Sequence, residues 1–177
     1  MCGIAGLIHK GKTVDIGKEL RDMLQALKHR GPDSTGYALY GEGESDNYIM
    51  RFKVGENVKE GSKAVNEDKS VYDSRRKKVD QHIRDLGANI LQDQQLTPYS
   101  FRYVIKYDKD LMEFSKKIES VEMTEILSLG KTLELVKDIG DATAVSKQYG
   151  LDKIKGTHAI GHSRMATESG VDIRSAH

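Results

Sequence analysis

The chain opens Met-Cys-Gly-Ile-Ala-Gly-Leu-Ile, and this run constrains the fold more than any other segment. It is short and apolar, and Gly3 and Gly6 would weaken a helix, so residues 2–8 predict a buried strand at the very start of the chain. A second run of the same kind lies at 157–165, where His158 and His162 are an even number apart and share a face if the backbone is extended. Residues 1–41 and 157–177 hold 14 charged residues in 62, whereas residues 42–156 hold 41 in 115. Two apolar, glycine-bearing ends therefore enclose a polar, charged middle.

Between the ends, Ile16, Leu20, Met23, Leu24 and Leu27 form one helical stripe after a candidate cap, Asp15. That helix should stop before Gly31-Pro32, because proline disfavours the helical region in the residue before it. Strands near 35–40 and 48–54, separated by the turn-rich 41–47, read as a hairpin. Gly41-Glu-Gly43 lacks the strand-to-helix setting of a phosphate loop and reads as a turn. Residues 59–96 read as a solvated helix, with Arg75-Arg-Lys-Lys78 as an exposed face beside Asp73, Asp80 and Asp85. In 99–107 Phe101, Tyr103, Ile105 and Tyr107 alternate with polar residues, the period of a half-buried strand. Two or three helices are expected over 109–150.

The 177 residues suffice for a core without staples. A hydrophobic content of 37% against 31% charged residues argues against both a disordered chain and a membrane span. The net charge of +1 supplies no basic field for nucleic acid or anionic lipid, so neither partner is expected. One cysteine rules out an internal disulfide framework, and the start lacks a signal-peptide pattern; a reducing cytoplasm is the expected location. His158 and His162 have no second ligand pair, so no metal and no cofactor are expected.

Cys2 stands where trimming of Met1 would leave it with a free α-amino group. That amine has an ordinary pKa of about 7.7–8.0 and can take a thiol proton near neutrality, so one residue would supply nucleophile and base. A lone cysteine is also a common core filler, and Gly31-Pro-Asp33 is also a plausible simple turn. Two further segments bear on the choice: Leu27-Lys-His-Arg-Gly-Pro-Asp-Ser-Thr-Gly36 and Gly161-His-Ser-Arg-Met-Ala-Thr-Glu-Ser169.

With Met-Cys-Gly-Ile-Ala-Gly, these segments resemble the class II glutamine amidotransferases, which are N-terminal-nucleophile hydrolases. The resemblance covers residues 1–55 and 157–177. It implies an α+β fold, an αββα sandwich of which the chain forms part; it does not by itself explain 56–156, whose excess charge, lack of a matched motif and patterned strand at 99–107 predict a charged, mainly helical insertion that meets a partner subunit and lies outside the hydrolytic centre. Cys2 matches the nucleophile that forms a thioester with the glutamine side-chain amide and releases ammonia. Arg164 matches the arginine that grips the substrate α-carboxylate, and Thr167 a substrate-binding threonine. Arg30 and Gly31 match the step beside the nucleophile, where a fixed positive charge favours thiolate. Met165 stands where related domains often carry tryptophan, and Glu168 where several carry histidine.

The form of the third segment resembles most the glutaminase of glutamate synthase, which hands ammonia to a synthase partner. Glucosamine-6-phosphate synthase and amidophosphoribosyltransferase glutaminases, and a non-catalytic module of the same fold, are the alternatives. The resemblance also implies a downstream Asn-Gly pair forming the oxyanion hole. The asparagines at 47, 57, 66 and 89 all precede the third segment and none is followed by glycine. The expectation is a domain incomplete at its C-terminal side, with 1–177 alone weakly active or inactive.

Overall fold

The computed structural model describes residues 2–44, 46–56 and 67–165. In chain order its elements are β1 (Gly3–Ile8), α1 (Ile16–Ala26), β2 (Ser34–Gly41), β3 (Tyr48–Lys53), α2 (Lys69–Asp85), β4 (Asn89–Gln95), β5 (Ser100–Lys106), α3 (Leu111–Glu119), β6 (Glu125–Gly130), β7 (Leu133–Ile139), α4 (Ala142–Tyr149) and β8 (Gly156–Arg164). Short 3-10 turns occupy Lys28–Arg30 and Leu151–Lys153. The fold is α+β, with two four-stranded antiparallel sheets. The chain divides into two units; of the described residues, 2–43 and 132–165 form the first and 44, 46–56 and 67–131 the second.

The first unit is built on the strand order β1-β8-β2-β7. The two apolar runs at opposite ends of the chain lie side by side, from Gly3↔Ser163 to Ile8↔His158. Strand β2 takes the other edge of β8, from Ser34↔Arg164 onward, and β7 pairs β2 on its far side. Helix α1 packs over β8 and β1, burying Ile16, Leu20 and Leu24 completely. It lies so close that a Cβ on Gly161 would sit 2.5 Å from Leu24 Cδ1, which is why small residues are placed there. The opposite face carries Ile4, Ile8 and Ile160, which are 69%, 79% and 52% exposed. A shallow depression of about 230 Å³ on that face is lined by Ile4, Gly36, Ala38, Leu135, Ile160 and His162, among others.

The second unit has the order β4-β5-β3-β6 and its own core. Phe52, Phe101, Tyr103 and Ile105 are fully buried, with Val79 and Ile83 of α2 and Phe114 and Ile118 of α3. Phe52 stacks on Phe101 at 5.3 Å and meets Tyr103 edge-on at 4.9 Å, spacings at which aromatic pairs attract beyond their burial.

Several sequence expectations change here. Strands β2 and β3 do not form a hairpin: both edges of β2 are taken by β7 and β8, and both edges of β3 by β5 and β6. Of the solvated helix expected over 59–96, residues 59–66 lie outside the described residues and the described part is helical only in α2, up to Asp85; Gly87, at φ +82°, turns the chain into β4, a polar edge strand stabilised by pairing with β5. The stretch 109–150 holds helices only at its ends, with β6 and β7 between them, because each finds an open strand edge in a different sheet. The middle of the chain thus contributes strands to both sheets. Arg75 and Arg76 do not belong to an exposed face. Arg75 is buried, bonded to the Val54 carbonyl at 3.1 Å and paired with Glu67. Arg76 lies over the Phe101 ring at 4.9 Å and donates to the Tyr103 hydroxyl at 2.8 Å. Asp15 occupies the N-cap position of α1 but makes no side-chain capping bond.

The helix stripe also misplaces one residue, since Met23 is 40% exposed whereas Leu24 is fully buried. Replacing Leu24 with alanine should cost about 2–5 kcal/mol of unfolding free energy. Met23→Ala should stay within about 0.5 kcal/mol. Denaturant titration of both variants checks this, and equal losses would mean that α1 is rotated on the sheet.

Candidate active site at one end of the first sheet

Antiparallel pairing brings the beginnings of β1 and β2 and the ends of β8 and β7 to the same end of the first sheet. Cys2, exposed, immediately precedes β1, and Arg164 is the last residue of β8. They flank the Gly3↔Ser163 pair, one before it and one after it. Across β8, Arg164 is in register with Ser34 at the start of β2. The sheet thus gathers the first and third segments singled out in the sequence at one edge, although about 160 residues separate them.

The second segment is fastened to the same edge. After α1 the chain makes the 3-10 turn Lys28–Arg30, with the Arg30 amide donating to the Leu27 carbonyl at 2.8 Å. Gly31 then lies against the backbone of β8: a Cβ there would be 2.5 Å from the Ser163 carbonyl carbon and 2.6 Å from the Arg164 nitrogen. Its φ of −172° is ordinary extended backbone, so close approach is the reason for glycine. Two residues on, the Asp33 amide donates to the Arg164 carbonyl at 3.1 Å. Arg30 itself is exposed. Cys2, Arg30, Gly31 and Arg164 therefore sit on segments that meet at one sheet end, while Thr167 and Glu168 lie outside the described residues.

One contributor was not singled out from the sequence, the corner Gly140-Asp141 between β7 and α4. The Gly140 amide donates to the Asp33 carbonyl at 2.9 Å, and Thr35 Oγ1 donates to the Gly140 carbonyl at 2.8 Å. Asp141 caps α4 by accepting from the Ala144 amide at 2.9 Å, and its other oxygen is 2.6 Å from Lys28 Nζ. Lys28 above all, with the cap amide, holds the Asp141 carboxyl below the usual aspartate range. The readable signal was a helix start, Asp followed by Ala-Thr-Ala; its tie to Lys28 carries no sequence signature.

The histidines of β8 share one face, as their spacing implies. His158 stacks on Tyr40 at 4.0 Å and lies 2.9 Å from Thr157 Oγ1 through Nδ1. Among the described residues no group of three or more His, Cys, Asp and Glu side chains gathers as a metal site.

No protein-family model matches the chain. Along its whole length it is 34% identical to a protein of Methanothermobacter thermautotrophicus named "Putative glutamine amidotransferase", 56% of which the alignment covers. It is 28% identical, again over its whole length, to "Glutamine amidotransferase-like protein GlxB" of Rhizobium meliloti, with 54% of that protein covered. The chain is similar to glutamine amidotransferases. It spans about half the length of these curated relatives. Among the described residues, no helix is long and apolar enough to cross a membrane.

The glycine contact and the ion pair each make a measurable claim. Gly31→Ala should destabilise the first unit by about 1–3 kcal/mol, because the atoms it would strike are backbone of a paired strand. Unfolding titrations that find Gly31→Ala as stable as the parent would mean that the loop does not rest on β8. Asp141, depressed in the folded state, contributes stability that is complete above the unfolded carboxyl value near pH 4 and is lost as pH falls through its lower folded value. Asp141→Asn should accordingly remove part of the acid limb of the stability profile and leave its slope above pH 5 unchanged.

Proposed function

We propose that this chain is the glutaminase portion of an amidotransferase of the N-terminal-nucleophile type. The observation that carries the reading is the meeting of Cys2, the Arg30-Gly31 loop and Arg164 at one end of one sheet. The relatives named as glutamine amidotransferases over the whole length support it.

In this mechanism Met1 is removed and the α-amine of Cys2 takes the proton of its thiol. A peptide-bonded nitrogen has no basic lone pair and could not do so. The thiolate adds to the side-chain amide carbon of glutamine, the tetrahedral oxyanion collapses with loss of ammonia, and water cleaves the thioester to release glutamate. Arg164 holds the substrate α-carboxylate through the planar fork of its guanidinium, with Thr167 beside it. Arg30 favours the thiolate, and Gly31 allows the loop to lie close to the strand that bears Arg164. The ammonia passes to a synthase partner, of the glutamate synthase type by the form of the third segment. Residues 56–156 include the surface that meets this partner. Neither a cofactor nor a metal takes part in this scheme, and the protein works in the cytoplasm.

Cys2→Ser should keep the fold and lose most glutamine-dependent ammonia release, because an alcohol is a far poorer nucleophile near neutrality. Arg164→Lys should lower kcat/KM for glutamine by about 30-fold, roughly 2 kcal/mol for a bidentate charge-assisted contact. Intact mass should find Met1 absent from active protein. Full turnover in a Met1-retaining or Cys2→Ala chain would exclude the mechanism, and unchanged Arg164→Lys kinetics would move the carboxylate to another cation.

A further inference from the structure

The loop that carries Arg30 and Gly31 is held at both ends by one short corner of the chain, Gly140-Asp141. Before the loop, Lys28 Nζ reaches Asp141 at 2.6 Å. After it, the Gly140 amide donates to the Asp33 carbonyl at 2.9 Å, and Thr35 Oγ1 donates to the Gly140 carbonyl at 2.8 Å. A further bond fastens the corner to α1, the Thr143 amide donating to Gln25 Oε1 at 3.2 Å. These anchors differ in setting: Thr35 is fully buried, whereas half of the Lys28 side chain is exposed. An exposed ion pair adds little to stability, and a single buried hydroxyl bond adds only modestly. Their common geometric effect is to fix where residues 28–35 run relative to Ser163 and Arg164, against which Gly31 is packed.

We infer that Lys28, Thr35 and the Gly140-Asp141 corner are positioning groups for the Arg30-Gly31 loop, setting its distance from Cys2 and Arg164. This rests on the function proposed above. It also gives Asp141, which lies in the charged middle of the chain, a role in the hydrolytic centre. Lys28 and Thr35 act through the backbone they hold and touch no substrate. Releasing either end of the loop lets Arg30 drift and weakens the field that favours the Cys2 thiolate. Reactivity should fall more than stability does.

The test compares Lys28→Met and Thr35→Val with Lys28→Arg and Thr35→Ser, which keep the charge and the hydroxyl. Ser146→Ala serves as control; it removes a buried hydroxyl on α4 that bonds Asp152 at 2.5 Å, away from the loop. Two readouts are taken on the processed full-length protein: kcat/KM for ammonia release from glutamine, and the rate of Cys2 alkylation by iodoacetamide across pH 6–9. The Met and Val variants should lose about 10-fold in kcat/KM, and their alkylation profiles should shift to higher pH. Arg and Ser should restore both, and the control should change neither while showing a similar change in Tm. Unaltered alkylation and turnover in Lys28→Met and Thr35→Val would overturn the inference, as would losses no greater than those of the control. If the parent released no ammonia while alkylation still responded to both variants, the positioning role would stand and the glutaminase reading would fall.

Discussion

The pairing of β8 with β1 on one side and β2 on the other is the constraint on which the first unit depends. It joins segments more than 100 residues apart in the chain, so chain entropy is spent before any of the contacts that repay it can form. Register is then set by side-chain alternation. The covered face presents Gly3, Ala5, Ala159 and Gly161 to α1, and the opposite face presents Ile4, Ile8 and Ile160. A slip of one residue would drive isoleucine into the space that Leu20 and Leu24 fill, and would carry Arg164 to the wrong face. The same packing demand that fixes the core therefore fixes where Cys2 and Arg164 stand.

The site is made of the start of the chain and the ends of strands. Backbone groups do much of the positioning: Asp33 bonds to the Arg164 carbonyl, Gly140 to the Asp33 carbonyl, and Gly31 lies against the peptide between Ser163 and Arg164. Such contacts tolerate little change in residue size at the glycine and permit wide variation in the side chains around it. Charge enters at the margin, where Lys28 of the 3-10 turn after α1 meets Asp141 at the start of α4. Their Coulomb gain in solvent is small, and their significance lies in direction more than in strength.

The second unit spends its cations differently. Arg75 and Arg76, which a sequence pattern places on a solvated face, are drawn in: Arg75 is buried and bonds Glu67 and the Val54 carbonyl, and Arg76 lies over the Phe101 ring and bonds Tyr103 and Asp93. The arginine stems bury apolar area while the guanidinium groups bond at the rim, an arrangement open to a long amphipathic side chain. The Tyr103 hydroxyl, between Arg76 and Asp80, is pushed well above the ordinary phenol range, chiefly by burial, and stays neutral.

Local order was legible in the sequence wherever one residue's neighbours in the chain decide its state. The strands at 3–8, 100–106 and 156–164 and the helix after Asp15 follow from alternation, helical spacing and glycine content. So did the three segments that carry Cys2, Arg30, Gly31 and Arg164, since their residue types imply chemistry before any geometry is known. What the sequence could not determine is which strand edges meet. Strands β2 and β3 are adjacent in the chain and separate in pairing, and β6 and β7 are held by partners far away in the chain. Nor could it determine that Gly140-Asp141 would clasp both ends of the Arg30 loop. Hydrogen-bond ladders and packing select these contacts by distance in space, and each backbone offers the same donors and acceptors whatever its side chains. Tertiary structure alone chooses among them, through the few registers in which the apolar faces are buried together.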